Sequence, residues 1–196
     1  MPKQTTPVPG LTISESMYEA AAAGIAAQGS DLAPLVWERF TAPTSWWLIP
    51  DESGLASRAE LTLRETQQFT IRINIWLRPD LRGPGGTPLP HSHPWSFESH
   101  ILMGAYDEDR YRLADDGQVH SDTGVTHQGG TTNRIDRAVY HEVRHVHAPG
   151  ATLSLMMCGR GERGVWGYLD LAAGRHLPAA PDPCFTAKLK ALNPQH

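Results

Sequence analysis

His91-Ser92-His93-Pro94-Trp95-Ser96-Phe97-Glu98 is the stretch on which the reading of this chain turns. In extended backbone alternate side chains share a face, so both imidazoles can reach one ion from a single strand. Glu98 follows at the fifth position after the second histidine, where a bend would bring its carboxylate to the same place. A second histidine-bearing strand comes much later, at Tyr140-His141-Glu142-Val143-Arg144-His145. Eight of the ten histidines fall between His91 and His147, which ordinary surface usage does not produce. His91, His93, Glu98 and His141 are therefore the expected metal ligands: neutral imidazoles and a carboxylate from neighbouring strands, with coordination positions left open for chemistry. His141 and His145 share a strand face but lie about 13 Å apart along it, at roughly 3.3 Å per residue, so one ion would not take both. His100, His120 and His127 are expected at the surface or behind the ligands.

Working outward, the chain reads as many short strands. Phe69 to Arg78 alternates strictly, with Phe69, Ile71, Ile73, Ile75 and Leu77 on one face and Thr70, Arg72, Asn74 and Trp76 on the other. If the polar face looks into a barrel, the Arg72 guanidinium can pair with a substrate carboxylate. If it looks outward it is a solvated face, and the outward reading is preferred. Further strand-like runs fall around 97–103, 106–113, 131–135, 139–147, 151–158 and 164–171, separated by turns such as Asp115-Asp116-Gly117 and Ala148-Pro149-Gly150. This pattern predicts an all-β protein, a sandwich or barrel. Gly83-Pro84-Gly85-Gly86 lacks the lysine and helix of a phosphate loop and reads as a turn into the histidine strand.

The first 43 residues differ. Residues 1–11 are rich in Pro and Thr, Thr12-Ile13-Ser14-Glu15 reads as a capping box, and Ile13, Met17, Ala20, Ala21 and Gly24 recur at helical spacing. A second short helix is predicted from Ser30 through Phe40. The expected division is a helical extension over 1–43, a barrel over 44–178 and a Pro-rich, weakly helical tail over 179–196. The extension is expected to pack against a sheet edge or a second subunit.

With 40% hydrophobic and 19% charged residues the composition is that of a globular protein, and a net charge of −4 with mixed signs argues against nucleic acid as a partner. No apolar run approaches a membrane span. The N-terminus has no apolar signal core, and the two cysteines, Cys158 and Cys184, are read as reduced thiols, so the cytoplasm is the expected location.

These motifs resemble the cupin superfamily. Its first motif runs glycine, five residues, His-x-His, three or four residues, Glu, six residues, glycine. The chain has Gly85, His91-Ser92-His93, Glu98 and Gly104, the last gap one residue short. In the second motif His141 falls on the histidine, Asp136-Arg137-Ala138 stands for Pro-x-Gly, and His145 replaces the asparagine. A closer resemblance is to small bacterial and phage-associated cupins reading His-x-His-Pro-Trp-x-Phe. Here it extends through Ser99, Ile101-Leu102-Met103-Gly104-Ala105-Tyr106 and Trp166-Gly167-Tyr168, covering about 70–170.

The resemblance implies a double-stranded β-helix (a jelly-roll barrel), one divalent metal ion and a tendency to dimerise. Likeness to cupin oxygenases favours Fe(II), although imidazoles suit zinc, nickel or copper as well, and manganese is a further candidate. The leading expectation is a mononuclear non-heme Fe(II) oxygenase acting on a small polar molecule. An isomerase, lyase or cyclase is the second, with Tyr106 or His145 (Tyr140 as a further candidate) moving a proton. A non-catalytic small-molecule-binding cupin is the third. Arg72 and Trp95 are the expected substrate contacts, Trp95 and Phe97 as pocket wall.

Overall fold

The computed structural model describes residues 3–29, 32–162 and 164–196. The chain opens with a hairpin, β1 (Gln4–Val8) and β2 (Leu11–Ser14), then two helices, α1 (Glu15–Ala27) and α2 (Trp37–Thr41). Strands follow: β3 (Trp47–Pro50), β4 (Ala56–Glu65), β5 (Thr70–Trp76), β6 (Phe97–Met103), β7 (Ala105–Leu113), β8 (Val119–Gln128), β9 (Thr132–Ile135), β10 (Val139–Val146), β11 (Thr152–Cys158), β12 (Gly167–Asp170) and β13 (Arg175–Pro178). Helix α3 (Pro183–Leu192) closes the chain.

One antiparallel sheet has the order β3-β4-β5-β11-β6-β9 and faces a second, β10-β7-β8, across a lumen. The pair β12-β13 extends the second sheet through residues 90–92, which bridge β10 and β12. The fold is all-β, as the strand pattern predicts, and a jelly-roll barrel, as the resemblance implies. Gly104 closes the β6–β7 turn at φ +73, with Thr152 packed where a Cβ would stand, so the last glycine of the motif is sterically required.

The largest apolar core lies outside the barrel. Ile71, Ile73 and Ile75 of β5, with Leu153 and Leu155 of β11, pack beneath Ile13 of β2 and Met17, Ala21 and Ile25 of α1. Gly24 lets α1 come down onto Leu102 of β6. The N-terminal segment thus covers the face of the large sheet rather than its edge. That corrects the expectation for β5: the aliphatic face turns out to this layer, and Arg72, Asn74 and Trp76 turn into the lumen. Both faces are buried, because a sheet covered by a second layer has no solvated side.

Two local expectations change. Leu11–Ser14 is a strand, and the N-cap of α1 is Ser14, whose hydroxyl accepts from the Met17 N–H at 3.3 Å; no Thr12–Glu15 box forms. The second helix is confined to Trp37–Thr41, and Ser30 and Asp31 lie outside the described residues. At the other end, the Asn193 side chain accepts from Leu48 N–H at 2.7 Å and donates to Leu48 C=O at 2.8 Å, tying α3 to β3. Among the described residues no helix is long and apolar enough to cross a membrane.

Ile73 is fully buried between sheet and helix. Ile73→Ala is expected to cost about 2–5 kcal/mol of unfolding free energy. Denaturant titration should show a lower midpoint with an unchanged slope.

Candidate metal centre

The three histidines meet because two segments fifty residues apart pair through their backbones. His91 N–H donates to His141 C=O at 3.1 Å, and His141 N–H donates back to His91 C=O at 2.9 Å. On the other side Ser92 N–H donates to Gly167 C=O at 2.9 Å, and Leu169 N–H to Pro90 C=O at 2.8 Å. Residues 90–92 are thus stitched between β10 and β12, and His91 and His93, two apart, both project into the lumen. One ring nitrogen from each of His91, His93 and His141 lies within 4.8 Å of the others. The Nε2 atoms of His93 and His141 are 2.9 Å apart.

Burial is the main force on the protonation of this group. It holds His91 and His93 well below the usual imidazole range, opposed for His91 by the charge of Asp80, so both keep a free lone pair at neutral pH. His91 is 3% exposed, and neither of its ring nitrogens has a hydrogen-bond partner among the described residues. A buried imidazole left unpartnered is costly unless something else takes its lone pair, and a metal ion does that. His141 Nδ1 donates to Glu108 Oε1 at 2.6 Å, which leaves its Nε2 lone pair for the centre. Three imidazole nitrogens converging in this way fit a divalent first-row ion.

Glu108 is fully buried on β7. Burial pushes its pKa up, but hydrogen bonds from His127 and His141 and the charge of Arg110 overcome this and hold it well below the usual carboxylate range. Its Oε2 accepts from Arg110 Nε at 2.7 Å, and Asn133 Nδ2 reaches both oxygens at 3.1 Å. His127 Nε2 is 3.1 Å from Oε2, so of the three outlying histidines this one stands behind the ligands.

The structure moves several expected residues. Glu98 is on the outer face of β6, its side chain 41% exposed and paired with Arg134 Nε at 2.9 Å. It does not join the histidines. With four residues between His93 and the glutamate, strand alternation hands the inward position to Phe97, whose ring lies 5.2 Å from His93. His145 is exposed as well, so it is not placed to act on a lumen substrate. A register irregularity between Val143 and His145 breaks the alternation, turning Val146 inward and His145 out.

Tyr106 does line the lumen, but its hydroxyl accepts from Asn133 at 2.9 Å, and burial beside Glu108 raises its pKa, so it stays a phenol. Arg72 points inward with both terminal nitrogens engaged, by Glu60 at 2.7 Å and by the Cys158 thiol at 3.3 Å. It stands over the Trp95 ring, which stacks on His93. Cys158 and Cys184 are both free thiols.

Sequence reasoning missed Glu108 and Asp80. Tyr106-Asp107-Glu108-Asp109-Arg110 looks like a solvated strand, and only its two-residue period, placing Tyr106, Glu108 and Arg110 together, hints otherwise. Asp80 sits in a short Pro-containing connection that reads as a turn. Its Oδ2 lies 3.9 Å from His91 Nε2, making it the carboxylate nearest that ligand among the described residues.

Two outcomes are expected. Glu98→Ala should keep the metal content of the wild type, whereas Glu108→Gln should weaken metal affinity by about 10–100-fold, as read by competition with a chromogenic chelator. Because His91 and His93 have native pKa values below those of the unfolded chain, the unfolded state binds more protons as pH falls. Metal-free protein should therefore lose stability below about pH 6.5, by up to about 1.4 kcal/mol per pH unit for each histidine. Denaturation midpoints measured from pH 8 to 5 check the sign.

No family model matches the chain, and no curated protein matches it. Solved structures similar to it include the Fe(II) form of HppE, at 11% identity over 59% of this chain and 57% of that one, with a TM-score of 0.39. The polyketide cyclase RemF from Streptomyces resistomycificus is 17% identical over 69% of this chain and 84% of that one, TM-score 0.34. KdgF from a Halomonas species is 15% identical over 54% and 82%, TM-score 0.34. The chain spans little more than half of HppE. At these values the likeness says nothing of what this chain binds. Two antiparallel sheets facing across a lumen, with His-x-His and a distant third histidine meeting inside it, give this chain the cupin fold.

Proposed function

We propose that this protein is a metal-dependent enzyme, a mononuclear non-heme Fe(II) oxygenase acting on a small polar molecule in the lumen. The observation that carries the reading is the buried, unpartnered His91 ring beside the facing Nε2 atoms of His93 and His141. Three imidazoles hold the ion, and Glu108 fixes the tautomer and orientation of His141. The bound ion supplies Lewis acidity and one-electron chemistry with O₂.

The chain's own residues shape what reaches that centre. The lumen has a volume of about 750 Å³, ample for a small molecule. Phe97 fills the position beside His93 where a carboxylate was expected, so the carboxylates near the centre, Glu108 and Asp80, stand behind the imidazoles rather than among them. Trp95 and Phe97 wall this side and keep water from it. Tyr106 acts as a positioning residue through Asn133 and Glu108 rather than as a base.

Anaerobically purified protein is expected to carry about one equivalent of a divalent ion, lost in His91→Ala and His141→Ala. Turnover of a substrate should need both Fe(II) and O₂. Equal rates with and without O₂ would remove the oxygenase reading, and full activity with Zn²⁺ would favour an isomerase, lyase or cyclase. Equal metal content in wild type and both variants would remove the centre itself.

A further inference from the structure

Along one wall of the lumen, three guanidinium groups alternate with two carboxylates. Arg72 Nη1 is 2.7 Å from Glu60 Oε2, and Arg58 Nε is 2.8 Å from Glu60 Oε1. Arg58 Nη1 is 2.6 Å from Asp80 Oδ2, and Arg82 Nη2 is 2.8 Å from Asp80 Oδ1. The run begins and ends on a cation, so it holds one positive charge more than its carboxylates cancel. These side chains are only 5–17% exposed, so bulk water screens little of the surplus.

Each end of the run is an arginine paired with one carboxylate, and the two differ in what else they touch. Arg72 has its terminal nitrogens engaged by Glu60 and Cys158. Arg82, by contrast, pairs with Asp80 alone among the described residues and faces the cavity. Asp80 fixes the place: its N–H donates to Val143 C=O at 2.9 Å, two residues along β10 from His141, and its Oδ2 is 3.9 Å from His91 Nε2. The Arg58–Arg82 end therefore stands beside the histidines.

Other charges on the cavity do not cancel it. Glu108 is paired with Arg110. Asp51, Glu52, Asp182 and Lys188 sit at the mouth, half-buried or exposed, where solvent screens them. Asp51 and Asp182 also accept hydrogen bonds within their own turns, from Leu55 and Cys184 N–H.

The geometry points to an anion subsite centred on Arg82, held by Asp80 beside Arg58, which takes the carboxylate of a small organic acid lying beside the three histidines. Guanidinium groups held in a fixed orientation suit a carboxylate, which accepts two parallel hydrogen bonds. The inference moves carboxylate recognition from Arg72, whose arms are occupied, to the far end of the same run. It deepens the proposed function by naming the substrate class, and rests on that reading for the acid's conversion but not for its binding.

Trp76 and Trp95 line the cavity, so tryptophan fluorescence can follow binding. Chelator-stripped wild type would be titrated with succinate and benzoate, and with succinamide and benzamide, their uncharged counterparts. At least one acid is expected to bind tenfold or more tightly than its amide. Arg82→Gln should lose about tenfold for the acid and nothing for the amide, and Arg82→Lys should recover part of the loss. Metal content and thermal midpoint in Arg82→Gln should match wild type; if that variant does not fold, Arg82→Lys alone should still weaken the acid selectively. Equal binding of acids and amides, no binding of either acid, or unchanged acid affinity in the folded variants overturns the subsite. Arg82-dependent acid binding in a protein that takes up no metal would keep the subsite and remove the metal enzyme.

Discussion

Two backbone hydrogen bonds exchanged between His91 and His141 hold this structure's site together. They place a residue from an irregular connection directly opposite a residue of β10, and their side chains follow. Because alternate residues face opposite ways, a slip of one position would turn His91 and His93 out of the lumen together. The flanking bonds to Gly167 and from Leu169 make that slip costly, since each would leave a buried backbone group unpaired.

Charged groups in the lining of a lumen are expensive to bury, and the chain meets the cost by pairing. Glu108 is surrounded by His141, His127, Arg110 and Asn133, while Glu60 and Asp80 are each gripped by two arginines. Buried charges satisfied in this way contribute little net stability. The stabilising burial lies in the aliphatic layer between the outer face of the large sheet and the N-terminal helix, and in smaller apolar clusters that join the two sheets. The outer layer lets part of the barrel interior carry charged groups without leaving the large sheet short of apolar packing.

Much of the strand layout was legible. Runs predicted at 97–103, 139–147 and 151–158 match β6, β10 and β11 to within a residue or so, because alternation, β-branched residues and flanking turns agree there. Strand β4 was not read, since Ala56 to Glu65 mixes charge and apolar residues in the way a loop also does. Nor was β8, which is largely exposed and carries little alternation. The His-x-His pair and His141 were found from spacing. Glu98 and His145 were misplaced because one residue of phase reverses a side chain's direction: nothing local says whether Phe97 or Glu98 faces the lumen, and the irregularity after Val143 leaves no mark in the sequence.

The sequence by itself determined the all-β class, the two histidine segments and the strict alternation of 69–78, because these depend on local periodicity. Tertiary packing alone sets which face of β5 looks inward, which carboxylate stands nearest His91 and which arginine of the run has a single partner. Those outcomes depend on a second layer packed far from the site and on charge partners drawn from β4, β7 and the segment after β5. Contacts between elements distant in sequence carry no period that a linear reading can detect.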